Sequence, residues 1–345
     1  MILLEEACRG WARLGLGTPK PITVGLINLT YAVPTADGGR VALQRLSPIF
    51  GAEVHRDIDA VTRHLEAKGL TTPRLVPTDA GALDLQLEDG CWRVMSWIEG
   101  ETFERLDGPD HARAAGALLG RFHAALADFD TELVHVRVGV HDTEKHLAGL
   151  EAALAAVAGD PAHAATREVG ERILELTAAL PDFSELPRRV VHGDPKVSNL
   201  LFAPDGAGVA MVDLDTVARM PLAHELGDAL RSWCNRAFTE DDARAQFDLD
   251  LMEATLEGYA KSAPADLSAA EWASLVPGAQ TIMLELAARF CKDVVEDRYF
   301  GWDARRFPSR AAHNLARARG QLRLAESLET LFDAAKRSAE KLFPS

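Results

Sequence analysis

One stretch limits what this chain can fold into more than any other: Val190-Val191-His192-Gly193-Asp194-Pro195-Lys196-Val197-Ser198-Asn199-Leu200-Leu201-Phe202. A Gly-containing turn follows, and then Val209-Ala210-Met211-Val212-Asp213-Leu214-Asp215. Short apolar runs bounded by polar and turn-forming residues are the pattern of buried strands. A polar loop lies between the first two runs, and the third run ends in two carboxylates. Such a layout delivers charged groups to one point.

The residue types at that point match what phosphoryl transfer from a nucleotide to a hydroxyl requires. A carboxylate must accept or orient the hydroxyl proton, a cation must face the migrating group, and oxygen ligands must hold Mg²⁺. Asp194 suits the first role and Lys196 the second. Asn199 and Asp213 suit the third, because one amide oxygen and one carboxylate leave most of a hard cation's shell to phosphate and water. His192, Asp194 and Asn199 also have the spacing of a kinase catalytic loop, with Asp213 where the kinase metal-binding Asp stands. Taken singly, each has an ordinary explanation: a turn former, a cap, a surface lysine or a solvated strand end. Their joint spacing between apolar runs favours the catalytic assignment.

With His192-Gly193-Asp194, Asn199 and Val212-Asp213-Leu214-Asp215, the chain resembles the aminoglycoside phosphotransferase and choline kinase superfamily, small-molecule relatives of the protein kinases. Further stretches resemble the N-acetylhexosamine 1-kinase group within it: Leu43-Gln44-Arg45-Leu46, His141-Asp142-Thr143, Asp213-Leu214-Asp215-Thr216-Val217, Gly227-Asp228-Ala229-Leu230-Arg231, Arg289-Phe290, Tyr299-Phe300 and His313-Asn314-Leu315. The resemblance implies an α+β, bilobed protein-kinase-like fold. It implies a small β-rich nucleotide-binding lobe over residues 1–98 and a large, mostly helical catalytic and acceptor-binding lobe over residues 99–345. It further implies ATP and Mg as cofactors and a small polar acceptor, a sugar or N-acetylhexosamine first and an aminoglycoside second.

Composition narrows the partners. Against 52 acidic residues stand 37 basic ones, a net charge of -15, so neither nucleic acid nor an anionic membrane surface is an expected partner. Cys8, Cys91, Cys234 and Cys291 are far apart and form no Cys-x-x-Cys pair, so buried thiols in a reducing compartment are expected rather than zinc or disulfides. The N-terminus has no basic region leading into an apolar core, and no window reaches the length of a membrane helix. A cytoplasmic protein is the expectation.

Taken in order, residues 21–33 read as two strands around a turn, which in the family is the hairpin over the ATP phosphates. Gly25 and Asn28 are its candidates for phosphate contact; there is no Gly-x-Gly-x-x-Gly and no Walker motif. The strand Val41-Ala42-Leu43 leads to Gln44-Arg45, where kinases carry a lysine for the phosphates. Only one of the two can face the cleft. Gln44 fits the register and Arg45 fits the charge, and Arg45 is the phosphate candidate. Residues 52–68 have helical periodicity, with Asp57 and Asp59 as counterparts of the kinase helix glutamate or, more simply, as solvated charges.

The strand through Met95, Ser96 and Ile98 marks the change of lobe, and family members bind adenine there through backbone groups. His123 reads as a packing residue. His141-Asp142-Thr143 opens a helix with a good cap and, by resemblance, lies near the acceptor. Asp228 is expected to brace the catalytic loop, with Arg231 doing likewise or touching substrate. Arg289 and Asp293 are spaced for a salt bridge. Arg289, Tyr299 and Asp215 are the remaining acceptor candidates, Asp215 alternatively serving a second metal. The rival expectation is a kinase-shaped protein that binds nucleotide without turnover, and the missing strand lysine is the feature in its favour.

Overall fold

The computed structural model describes residues 3–22, 28–135, 141–237 and 239–343. It begins with helix α1 (Leu4–Arg9), then β1 (Lys20–Ile22), β2 (Leu29–Pro34), β3 (Arg40–Arg45), helix α2 (Val54–Ala67), β4 (Leu85–Leu87) and β5 (Gly90–Ser96). The strands form one antiparallel sheet in the order β1-β2-β3-β5-β4.

Side chains alternate across a strand, and this decides what each face of the sheet meets. Val41 and Leu43 of β3 and Trp92 and Val94 of β5 turn outward into a small core with Ala7 and Trp11. Met95 turns the other way and joins the main core, to which α2 contributes Ile58, Val61 and Leu65, each at most 1% exposed. The 3-to-4 spacing of those apolar residues is what the sequence predicts for a helix lying on a sheet. Residues 74–77 contribute one bridge, Leu75 with Met95, and of residues 82–87 only the last three form a strand. A turn in which the Thr78 N–H donates to the Ala82 carbonyl at 2.7 Å uses up the start of the latter.

Beyond β5 the chain is mostly helical: α3 (Pro109–Ala125), α4 (Thr143–Ala156) and α5 (Ala164–Thr177) precede the short strands β6 (Arg188–Val191), β7 (Leu200–Phe202), β8 (Gly208–Met211) and β9 (Ala218–Pro221). Then come α6 (Leu222–Trp233), α7 (Leu249–Ala260), α8 (Ala269–Ala273), α9 (Leu275–Glu296) and α10 (Arg310–Leu342). Helices α3 and α7 touch backbone to backbone. A Cβ on Gly116 would lie 2.0 Å from the Thr255 carbonyl oxygen, and one on Gly258 would lie 2.0 Å from that of Arg113. Only glycine permits this approach. The sheet part meets the helical part at Asp215, in the turn after β8, through Asn28 and Arg93.

Candidate active site

Val190 and Val191 are 3% and 0% exposed, and β6 pairs with β9 while β7 pairs with β8. Burial of these short strands anchors both ends of the loop His192–Asn199. Gly193 turns at φ +80°, and a Cβ there would sit 2.2 Å from the Thr216 carbonyl oxygen, so the turn requires glycine. Buried backbone groups in such a loop need partners, and α6 supplies them. Glu225 accepts the N–H groups of His192 at 3.0 Å and Gly193 at 2.9 Å. Ser232 Oγ accepts the Val197 N–H at 3.1 Å, and Trp233 Nε1 donates to the Pro195 carbonyl at 2.6 Å. Sequence reasoning gave the bracing role to Asp228; the structure gives it to Glu225, because one helical turn earlier on α6 faces the loop. Asp228 instead accepts from Arg231 Nε at 2.7 Å.

His192 is fully buried and structural: its Nδ1 accepts the Asp194 N–H at 3.3 Å, so Nε2 carries the proton donated to the Val212 carbonyl at 2.8 Å. Asp194 and Lys196 meet, Nζ to Oδ2, at 2.6 Å. Burial pushes the Asp194 carboxyl up, but the Lys196 ammonium more than cancels this and holds it below its ordinary value. Lys196 is correspondingly raised, its burial outweighed by Asp194 and Asp213. Asn199, 4% exposed, spends its amide nitrogen on the Asp194 carbonyl at 2.8 Å, which leaves its amide oxygen available to a cation.

Asp213 takes the left-handed conformation, φ 65° and ψ 57°. For a residue with a Cβ this costs about 1–2 kcal/mol, a strain of the kind found at functional positions. Its carboxylate accepts no hydrogen bond among the described residues. Burial and the neighbouring Asp215 push its pKa up to about 6. One amide oxygen and one unpartnered carboxylate are the donor chemistry a hard divalent cation takes.

On the sheet side the outcome differs from expectation. Gly25 lies outside the described residues. The Asn28 side chain is already spent, donating to Asp215 Oδ2 at 2.6 Å and accepting the Ser47 N–H at 2.8 Å. Arg45 does not face the cleft: alternation along β3 places it with Val41 and Leu43 on the outer face, where it lies 3.5 Å from Asp89. Gln44 faces inward, and opposite it on β5 stands Arg93, which the sequence reading passed over. Arg93 Nε donates to Gln44 Oε1 at 2.8 Å, while Nη1 and Nη2 grip Asp215 at 2.5 and 2.9 Å. Met95 is buried and the Ser96 N–H donates to the Arg74 carbonyl at 2.7 Å. The Ile98 backbone forms no hydrogen bond among the described residues.

Below the loop, a cavity of about 1000 Å³ opens beside Asp215 and Thr216 and is lined also by His141, Arg188 and His224. Asp215 itself is 1% exposed with both oxygens engaged by Arg93 and Asn28, so neither acceptor contact nor a second metal is its role in this arrangement. Asp142 caps α4 by accepting the Lys145 N–H at 3.1 Å. His141 and Thr143 both bind Glu285 of α9, at 3.1 and 2.7 Å. Burial lowers His141, but Glu285 outweighs it and raises the imidazole pKa. The neighbouring His224 is pushed down to about 4 by burial and by His141. Arg231 is buried between Asp228 and Glu240.

The expected Arg289–Asp293 salt bridge is absent. Asp293 accepts the N–H groups of Arg298, Tyr299 and Phe300 at 3.1, 2.9 and 2.9 Å, and Asn314 Nδ2 at 2.9 Å. A carboxylate filled by four donors has no oxygen to spare for a guanidinium. Arg289 has Glu285 at 3.9 Å and lies over the rings of Tyr299 and Phe300, 5.9 and 5.8 Å from their centroids. Tyr299 is 55% exposed. Glu285, Arg289 and Asp293 thus form one line on α9 that fastens the start of α4, the segment after α9 and the start of α10. Glu225, Glu285 and Arg93 are the residues the sequence reading missed. Each is a charge inside an otherwise apolar run or helix face, and that is the signal by which they were findable.

Asp194, Lys196, Asn199 and Asp213 lie together on a fold with a sheet-rich first part and a helical second part, the arrangement of a kinase-like fold. Residues 18–264 match the model of the phosphotransferase enzyme family. The chain belongs to that family. It is similar to the homoserine kinase of Methylobacillus flagellatus, 28% identical over 237 residues that cover 68% of this chain and 69% of that one. It is also similar to the homoserine kinase of Methylobacterium nodulans, 29% identical over 231 residues covering 64% and 65%. Among solved structures it resembles an aminoglycoside phosphotransferase from Alicyclobacillus acidocaldarius, with TM-score 0.64, 16% identity and coverage of 99% and 97%. The amicoumacin kinase hAmiN, solved with AMP-PNP, Ca²⁺ and Ami, gives 0.62, 16%, 99% and 94%. The fold is therefore the bilobed kinase-like one, and the enzyme is an ATP-dependent small-molecule kinase.

Proposed function

We propose that the enzyme moves the γ-phosphoryl of MgATP to a hydroxyl of a small polar metabolite at the loop His192–Asn199. Residues 1–98 serve the nucleotide and residues 99–345 serve catalysis and the acceptor. The observation that carries this is the Asp194–Lys196 contact at 2.6 Å with Asn199 bonded to the same Asp194. Asp194 accepts the hydroxyl proton; held below its ordinary pKa, it is an ionised acceptor at neutral pH. Lys196 offsets charge on the transferring group. Asn199 and Asp213 would hold Mg²⁺, which when bound neutralises phosphate charge and orients the phosphoryl group. Of the adenine candidates Met95, Ser96 and Ile98, the first two have their backbone engaged by β3 and by residues 74–75, so the Ile98 backbone would receive the adenine. The AMP-PNP and Ca²⁺ found with amicoumacin kinase support nucleotide with a divalent cation.

For the acceptor, a sugar or N-acetylhexosamine is the first assignment, supported by the family-like stretches that Glu285 and Asp293 fasten around the acceptor lobe. Homoserine is the second, supported by the names of the curated relatives. ADP release from MgATP is measured against hexoses, N-acetylhexosamines, homoserine, aminoglycosides and choline, with Asp194→Asn as the blank. A signal with one sugar that the variant loses establishes the first assignment, and one with homoserine alone replaces it by the second. ATP binding with no turnover on any acceptor, equal in wild type and variant, would return the protein to nucleotide binding without catalysis.

A further inference from the structure

The β3 strand lacks the lysine that kinases place there, and α2 gives the cleft no carboxylate. Asp57 accepts the N–H groups of Val134 and His135 at 2.9 and 2.7 Å, and Asp59 pairs with Arg63 at 2.8 Å. The residue α2 does turn toward Arg93 is His55, 1% exposed, with Nδ1 on the Ala52 carbonyl at 2.9 Å. The ion pair that usually joins strand to helix is therefore missing from both of its ends.

In its place the structure holds a different pair. Arg93 of β5 and Asp215 are 2% and 1% exposed and meet through two parallel N–H···O bonds. Bidentate geometry of this kind fixes orientation as well as charge. Arg93 reaches β3 through Gln44, and Gln44 Nε2 reaches Thr30 Oγ1 of β2 at 3.0 Å. Asn28, just before β2, adds a second donor to Asp215. Three strands of the small lobe thus converge on one carboxylate of the large lobe. That carboxylate sits two residues from Asp213, at the far end of the tight turn in which Asp213 takes its left-handed conformation.

We propose that Arg93 is a positioning residue: the Arg93–Asp215 clamp, set by Gln44, replaces the strand-to-helix ion pair and holds the Asp213 turn in register with the sheet over the nucleotide phosphates. This rests on the phosphotransferase assignment and adds to it the residue that couples the two lobes. The clamp acts through Asp213, so it matters to a ligand that uses metal and phosphate and not to one that uses the adenine strand alone.

The test is calorimetric binding of MgADP and of adenosine to wild type, Arg93→Lys, Arg93→Met and Asp215→Asn, each with its thermal melt. Partners that orient a metal ligand typically affect affinity by about 10–100-fold. MgADP affinity is expected to fall by about that factor in variants that keep a cooperative melt, with adenosine affinity within about twofold of wild type. Adding Gln44→Lys to Arg93→Met returns a cation to the inward face of β3 and is expected to restore much of the MgADP affinity. Folded variants that bind MgADP like wild type would overturn the proposal. So would a series in which every variant that loses MgADP also loses its folding transition or loses adenosine in parallel, since the pair would then be a stability element alone. Wild type that fails to bind MgADP would instead overturn the phosphotransferase assignment.

Discussion

Glu225→Gln isolates what α6 does for the catalytic loop. The carboxylate is fully buried and accepts two backbone N–H groups, one with each oxygen, while His123 Nε2 lies 3.4 Å away. Burial alone would raise its pKa, but these donors hold it below the ordinary value, so it is the ionised form that the loop requires. Glutamine has nearly the same shape but keeps one acceptor oxygen and turns an NH₂ group toward the other N–H. One charge-assisted bond worth about 1.5–3 kcal/mol becomes neutral, and a buried N–H left unpaired costs about 1–3 kcal/mol. A loss of about 3 kcal/mol is expected, a fall in Tm of roughly 4 °C for a chain this size. Because the N–H groups belong to His192 and Gly193, the displaced atoms adjoin Asp194, and kcat falls with stability. Paired melts and ADP-release kinetics measure both. An unchanged Tm with unchanged kcat would refute the reasoning that Glu225, rather than Asp228, sets the loop.

Arg45→Ala, on the outer face of the sheet and 28% exposed, is expected to leave MgADP affinity unchanged and to cost at most about 1 kcal/mol of stability; a large loss of MgADP affinity in calorimetry would return Arg45 to the cleft. Glu285→Gln is expected to lower the His141 pKa, because burial and Arg289 are then opposed chiefly by the smaller pull of Asp228, and imidazole carbon NMR shifts against pH read this directly. Charged His141 adds stability that is whole below its unfolded pKa and lost as pH rises through the raised folded one. Depressed Glu285 adds stability above the ordinary carboxylate range and loses it as pH falls. The wild-type advantage over Glu285→Gln is therefore largest between about pH 5 and 6.5, which melts across that range would show.

The catalytic loop was legible in the sequence because its chemistry is local. Asp194, Lys196 and Asn199 lie within six residues, and the apolar runs on either side announce the strands that carry them. The same holds for α2, whose apolar positions Val54, Ile58, Val61 and Leu65 mark its buried face. What was not legible depends on pairings across the chain. Arg45 carried the right charge, but parity along β3 sent it outward, and the register that brings Arg93 opposite Gln44 is a property of the assembled sheet. Likewise Arg289 and Asp293 have helix spacing, yet three backbone N–H groups from the next segment occupy Asp293 first. Spacing reports which groups can meet; competition among partners decides which do.

The most direct test of catalysis at this loop compares wild type with Asp194→Asn in product formation from MgATP and the acceptor found in the panel, with MgADP binding measured on the same samples. Loss of a positioned base lowers turnover by about 10²–10⁴-fold, and that fall is expected with MgADP affinity little changed. An Asp194→Asn enzyme that phosphorylates the acceptor at the wild-type rate would contradict the assignment of Asp194 as the base.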